Sequence, residues 1–94
     1  MNEDEVSIHR LRVFLFVRRS DAWLTNNEIA VGAEVAPRTA RQHTRALVDM
    51  GVFDQAAVFP GHRYQLAKNP KGRSYIARLE RAAEAFGLEG QMKV

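Results

Sequence analysis

Residues 24–53 read LTNNEIAVGAEVAPRTARQHTRALVDMGVF, and this stretch carries two helix starts and one helix stop. The first start is Thr25 followed three residues later by Glu28. That spacing is a capping box: the threonine hydroxyl accepts from a first-turn amide, and the glutamate reaches back to the amide of the cap. Leu24 and Ile29 flank the cap at the positions of an apolar staple, so a helix is predicted from about Asn26. Gly32 is expected to interrupt it within two turns. The second start is Pro37, whose missing amide hydrogen suits a first helical turn. The stop is Gly51, a residue suited to the left-handed position beyond a helix end. A second helix is therefore predicted from Pro37 to Met50.

The faces of that second helix differ. At roughly 100° per residue, Ala40, Thr44, Leu47 and Val48 fall in one arc. Arg38, Gln42, Arg45 and Asp49 fall opposite. Arg41 lies between the two sets, and Thr39 and His43 flank the polar side from the other direction. The arginines therefore form a face instead of being scattered.

Charge along the chain has the same bias. Residues 1–34 hold four basic and six acidic groups, a net of −2. Residues 35–74 hold seven basic groups (Arg38, Arg41, Arg45, Arg63, Lys68, Lys71, Arg73) against Asp49 and Asp54, a net of +5. Residues 75–94 hold three of each, so the overall +3 is concentrated in the middle. A local positive field of this kind attracts polyanions.

Working outward, residues 1–5 read as a polar lead. Val6 to Arg19 reads as a helix whose apolar face (Val6, Ile8, Leu11, Phe14, Leu15, Val17) is broader than one stripe, which predicts a largely buried element. Trp23 is expected to anchor the core below the following helix. After Gly51, VFDQAAVF and RYQLA are short alternating runs with strand character, and Pro60, Gly61 and His62 between them signal the turn of a hairpin. KNPKGR is a basic loop. A last helix is predicted from about Ser74, with Tyr75, Ile76, Leu79, Ala82, Ala83 and Phe86 on one face, ending at Gly87 or Gly90. Residues 88–94 read as a tail.

Several function classes find no support. The chain has 94 residues and no cysteine, which excludes disulfides, thiolate zinc sites and cysteine nucleophiles. His9, His43 and His62 are far apart and lack ligand spacing, so no metal is expected. No serine–histidine–carboxylate set and no glycine-rich phosphate loop is spaced for catalysis, so the chain is not expected to be an enzyme or to need a cofactor. No window approaches the roughly 18 apolar residues of a membrane span. The opening residues are acidic and show no cleavable leader, which makes the cytoplasm the default location.

The order of helix, short capped helix, turn, basic helix, hairpin and helix resembles the winged helix-turn-helix family of bacterial, phage and plasmid transcription regulators. LTNNEIAVGAEVAPRTARQHTRALVDMGVF and RYQLA carry the resemblance: a threonine-capped second helix ending in EIA, a short turn, a PRT opening to the recognition helix, and an aliphatic-methionine-glycine run leading into the wing. Three positions depart from the pattern. Glu34 stands where a glycine is common, Ala36 replaces the usual serine or threonine cap, and Thr44 replaces a leucine in the middle of the apolar arc.

The resemblance implies a mainly α fold with a small β-hairpin: a three-helix core and wing over residues 6–68, then a C-terminal helix over residues 69–87. It implies double-stranded DNA as partner, with the helix at 37–50 in the major groove. Arg38, Gln42 and Arg41 would meet base edges, while Thr39 and Arg45 would meet phosphates. His62 and Arg63 would act from the wing, and Asn26 and Asn27 from the second helix. Tyr75, Ile76, Leu79, Ala83 and Phe86 would either pack on the core or join two copies into a homodimer. A repressor acting by occupancy, without a small-molecule effector, is the simplest expectation. The alternatives are a winged-helix module that binds protein, or a replication or plasmid-maintenance accessory. The exposed groups of the third helix favour DNA, because a protein-binding face would present aromatic or aliphatic groups.

Overall fold

A computed structural model of the chain describes residues 7–58 and 61–87. The expected polar lead (residues 1–5), Val6, the turn residue Pro60 and the tail at 88–94 lie outside the described residues.

The first helix, α1 (Ile8–Arg19), starts after Ser7, whose hydroxyl accepts from the amides of His9 at 3.1 Å and Arg10 at 3.5 Å. Its Leu11, Val13, Phe14, Leu15 and Val17 are all buried, as the breadth of its apolar face requires. It runs through the middle of the molecule and packs on α2 (Asn26–Ala33), α3 (Pro37–Asp49), β2 (Gly61–Leu66) and α4 (Arg73–Phe86). Arg18 bridges to Glu80 of α4 at 2.8 Å.

The capping box forms as the spacing demands. Thr25 Oγ1 accepts from the Glu28 amide at 3.2 Å, and Glu28 Oε1 accepts from the Thr25 amide at 2.8 Å. Hydrogen bonding from the Thr25 amide, and then from its side chain, holds the Glu28 carboxyl below its ordinary pKa. Leu24 and Ile29 are buried on either side of the cap. Two expectations fail here. Gly32 does not interrupt α2; it lies inside the helix, where the ring of Phe16 occupies the space that a β-carbon would take. Helix α2 ends instead at Glu34, which adopts the left-handed conformation (φ 58°, ψ 47°) and donates its amide to the carbonyls of Ala30 and Val31. Trp23 is not a core anchor but 40% exposed; its neighbour Leu24 is the buried residue. A side chain outside regular structure has no period to fix its direction, so the reading by residue type alone picked the wrong one of the pair.

Helix α3 opens at Pro37 with no side-chain cap from Ala36 and closes at Met50, and Gly51 takes φ 78° beyond it. Strands β1 (Phe53–Val58) and β2 pair antiparallel, from Phe53 opposite Leu66 to Val58 opposite Gly61. Gly61 and His62 thus belong to the strand, not to the turn. Leu24 adds a single β-bridge to β2: its amide donates to the Tyr64 carbonyl at 2.9 Å, and the Tyr64 amide donates back at 2.8 Å. Helix α4 ends at Gly87, again left-handed (φ 69°). The core comprises Leu11, Phe14, Leu15, Ile29, Leu47, Val52 and Leu79 at its centre. Among the described residues, no helix is long and apolar enough to cross a membrane.

Candidate nucleic-acid interface

The outer face of α3 is the cationic one. Arg38, Arg41, Gln42 and Arg45 are exposed and Thr39 is half-buried, while Ala40, Thr44 and Leu47 have no accessible surface. His43 departs from expectation: it is 7% exposed and belongs to the buried side. Its Nδ1 accepts from Arg10 Nε at 3.1 Å, and the same guanidinium donates through Nη1 to the Tyr75 hydroxyl at 2.9 Å. Accepting at Nδ1 places the imidazole hydrogen on Nε2 in a neutral ring. Burial, then the Arg10 charge, then His9 hold its pKa below the usual histidine value.

Four α3 side chains converge with the hairpin on one open groove, lined by Asn26, Arg38, Arg41, Gln42, Arg45, Gln55, His62 and Tyr64. Among the described residues no carboxylate pairs with Arg38, Arg41 or Arg45. Their charge is therefore presented outward, not neutralised internally.

The hairpin register decides which strand residues take part. Successive residues of a strand point to opposite faces, and His62 and Tyr64 pair with Ala57 and Gln55. These four form the groove side. Arg63, one residue on, points to the other side and lines a second depression with Thr25, Asn26, Asn27, Arg41, Gly61 and His62. The two wing residues named from sequence therefore meet in the second depression, and His62, with Arg41 and Asn26, also lines the groove, which Arg63 does not reach. Thr39 lines neither. Gln55 and Tyr64 were missed. Their only sequence signal is the two-residue alternation, and using it requires knowing the register of the pair.

Asn26 is held by internal bonds. Its Oδ1 accepts from Thr44 Oγ1 at 2.7 Å, and its Nδ2 donates to Tyr64 Oη at 3.4 Å. Thr44 Oγ1 also lies 3.1 Å from the Arg41 carbonyl, the backward bond expected of a threonine within a helix.

On α4, Leu79 and Ala83 are completely buried within the chain's own core, and Tyr75 and Ile76 are half-buried. Phe86 is 56% exposed.

No family model matches the chain. Its architecture is similar to that of solved structures. One is a MarR family transcriptional regulator from Silicibacter pomeroyi DSS: TM-score 0.66, 18% identity, covering 98% of this chain and 60% of that one. Two others are variants of ZitR from Lactococcus lactis, with TM-scores of 0.57 and 0.58 at 10% and 9% identity; each match covers all of this chain and 66% of the other. The fold is a winged helix-turn-helix. Helices α2 and α3 are its helix-turn-helix, and β1 and β2 are the wing. The chain spans 60–66% of the length of these structural neighbours.

Proposed function

We propose that this chain binds double-stranded DNA with sequence preference and regulates transcription, most simply as a repressor that occupies its site. The observation that carries the reading is the groove itself: three arginines that no carboxylate among the described residues pairs with and a glutamine from α3, facing His62 across an open surface. The fold it shares with a MarR family regulator supports the same reading.

The chemistry follows from position. The N-terminal half of a recognition helix leads into the major groove. There Arg38 or Arg41 offers two donors to guanine O6 and N7, and Gln42 a donor and an acceptor to adenine. Arg45 and Thr39, set further round or further along the helix, meet phosphates and fix register. The uncapped amides at the start of α3, left without a side-chain acceptor by Ala36, suit a phosphate oxygen. A second phosphate fits the depression where the first turn of α2, at Asn26 and Asn27, meets Arg41 and Arg63. His62 approaches the backbone from the wing.

A homodimer would read two half-sites. With Leu79 and Ala83 already enclosed, its contact on α4 falls to Phe86 with the half-buried Tyr75 and Ile76. This reading needs no metal, cofactor or effector, and it places the protein in the cytoplasm.

Selection from a pool of random duplexes, run at two salt concentrations, tests the reading. A recovered motif, repeated at a spacing of about one helical turn, is the expected result. Arg38→Ala should weaken the selected site by about 1–3 kcal/mol and relax preference at one base pair. Equal affinity of the wild-type chain for selected and scrambled duplexes overturns sequence reading, and absence of duplex binding at low salt overturns the function.

A further inference from the structure

We infer that Asn26, Thr44 and Tyr64 form a polar latch that sets the angle between recognition helix and wing, and through it the alignment of Arg41, Gln42 and Arg45 against base pairs. The inference deepens the DNA-binding reading above and rests on it.

The latch joins three segments that are distant in the chain. Thr44 lies on the inner side of α3 with no accessible surface, so it touches no ligand. Its hydroxyl is directed at Asn26 Oδ1, 2.7 Å away at the start of α2. The Asn26 amide nitrogen in turn faces Tyr64 Oη on β2 at 3.4 Å. Tyr64 is fixed a second time through its backbone, by the paired bonds with Leu24. Residues 24–26 are thus a hub: Leu24 holds the wing strand, Thr25 caps α2, and Asn26 ties the wing to the recognition helix.

A hydrogen-bonded connection here does what apolar packing does not. Apolar contacts are non-directional and do not by themselves fix the last few degrees of a helix's rotation. Hydrogen bonds weaken steeply with misalignment. Thr44 lies one turn from Arg41, and its hydroxyl also reaches the Arg41 carbonyl. Rolling α3 therefore breaks the Thr44–Asn26 bond and displaces Arg41, Gln42 and Arg45 together. Bidentate base reading tolerates only about 0.5 Å of such displacement, whereas phosphate contacts tolerate more. Asn26 is consequently a positioning residue through its side chain, whatever its backbone amide contributes to a phosphate. Threonine in the apolar arc, a departure from the leucine of the family pattern, is explained as the α3 end of the latch.

The test uses Thr44→Val, which removes the hydroxyl while nearly keeping the shape, and Thr44→Ser, which restores it. Affinity is measured for the selected and a scrambled duplex, with thermal unfolding alongside. Thr44→Val should lower the ratio of the two affinities roughly tenfold, the equivalent of one buried hydrogen bond, with affinity for the scrambled duplex and its salt slope unchanged. Thr44→Ser should recover the ratio.

A second measurement needs no DNA. The chain has no cysteine, so nitroxide labels at Asp49→Cys on α3 and Ala57→Cys on the wing report a single distance. Its distribution should broaden in Thr44→Val and in Tyr64→Phe, the latter serving if the former does not fold. Equal loss of both affinities, or an unchanged ratio in a folded Thr44→Val, overturns the latch. So does an unbroadened distance. A wild-type chain that binds no duplex while the label distance broadens leaves the latch standing as geometry and overturns the DNA reading.

Discussion

Gly32 offers a test in which two local effects have opposite signs. By helix propensity alone, Gly32→Ala should stabilise the protein by about 1 kcal/mol, since glycine inside a helix restricts more backbone freedom than alanine. The structure reverses that expectation. A β-carbon at position 32 would overlap Cζ, Cε1 and Cε2 of the Phe16 ring, so the ring must swing outward. Phe16 is half-buried, and the Arg19 guanidinium lies 5.3 Å above its centroid. Re-exposing a half-buried phenylalanine costs about 0.75–1.5 kcal/mol, half the value for full burial. Losing the cation–π contact adds about 0.5–1 kcal/mol at a surface site. The sum, about 2 kcal/mol, exceeds the propensity gain, and Gly32→Ala should destabilise by about 1 kcal/mol. In a Phe16→Ala background the obstacle is gone and the same change should stabilise by about 1 kcal/mol. Urea unfolding followed by far-ultraviolet circular dichroism on the four proteins measures the coupling. An equal effect of Gly32→Ala in both backgrounds, or a stabilising effect in the wild type, refutes the packing argument.

Other outcomes follow from single features. His43 has a folded pKa below its ordinary 6.5, from burial first and Arg10 second. As pH falls, the unfolded chain binds that proton first. The stability it contributes is therefore complete above the ordinary value and is lost as pH falls through it toward the folded value. The urea midpoint should drop between neutral and mildly acidic pH, and His43→Gln should flatten that drop; an unchanged slope would exclude the assignment. Glu34→Gly should stabilise by up to about 1 kcal/mol, because a left-handed residue with a β-carbon costs about 1–2 kcal/mol while glycine adds unfolded-state entropy. Its check is a thermal midpoint raised by several degrees, and a lowered midpoint contradicts the strain. Arg45→Ala should weaken selected and scrambled duplexes alike and reduce the magnitude of the log–log salt slope by about one. A base-selective loss would move Arg45 from phosphate to base reading.

Much of the architecture was legible because its signals are local. Thr25 with Glu28 fixed the start of α2, Pro37 and Gly51 bounded α3, and the spacing of Leu47 from Ala40 and Thr44 gave α3 its buried side. The errors share one cause. Gly32 and Trp23 were read from residue type and His43 from helical period alone, yet each is decided by what lies opposite. Phe16 fills the space over Gly32, Arg10 gives the buried His43 imidazole a donor, and Leu24 rather than Trp23 joins the wing. The candidate site was legible on α3, where helical period assigns a face. It was not legible on the wing, where a one-residue change in the turn exchanges the two faces of a strand.

The sequence by itself therefore determined the elements, their caps and the cationic side of α3, because each depends on contacts within about one helical turn. Only the tertiary structure decided that Gln55 and Tyr64 share the groove with those arginines, that Arg63 lines only the adjoining depression, and that Asn26 ties helix to wing. Those facts depend on strand register and on bonds between residues 18 and 38 positions apart, and directional contacts across such separations leave no periodic trace in the chain.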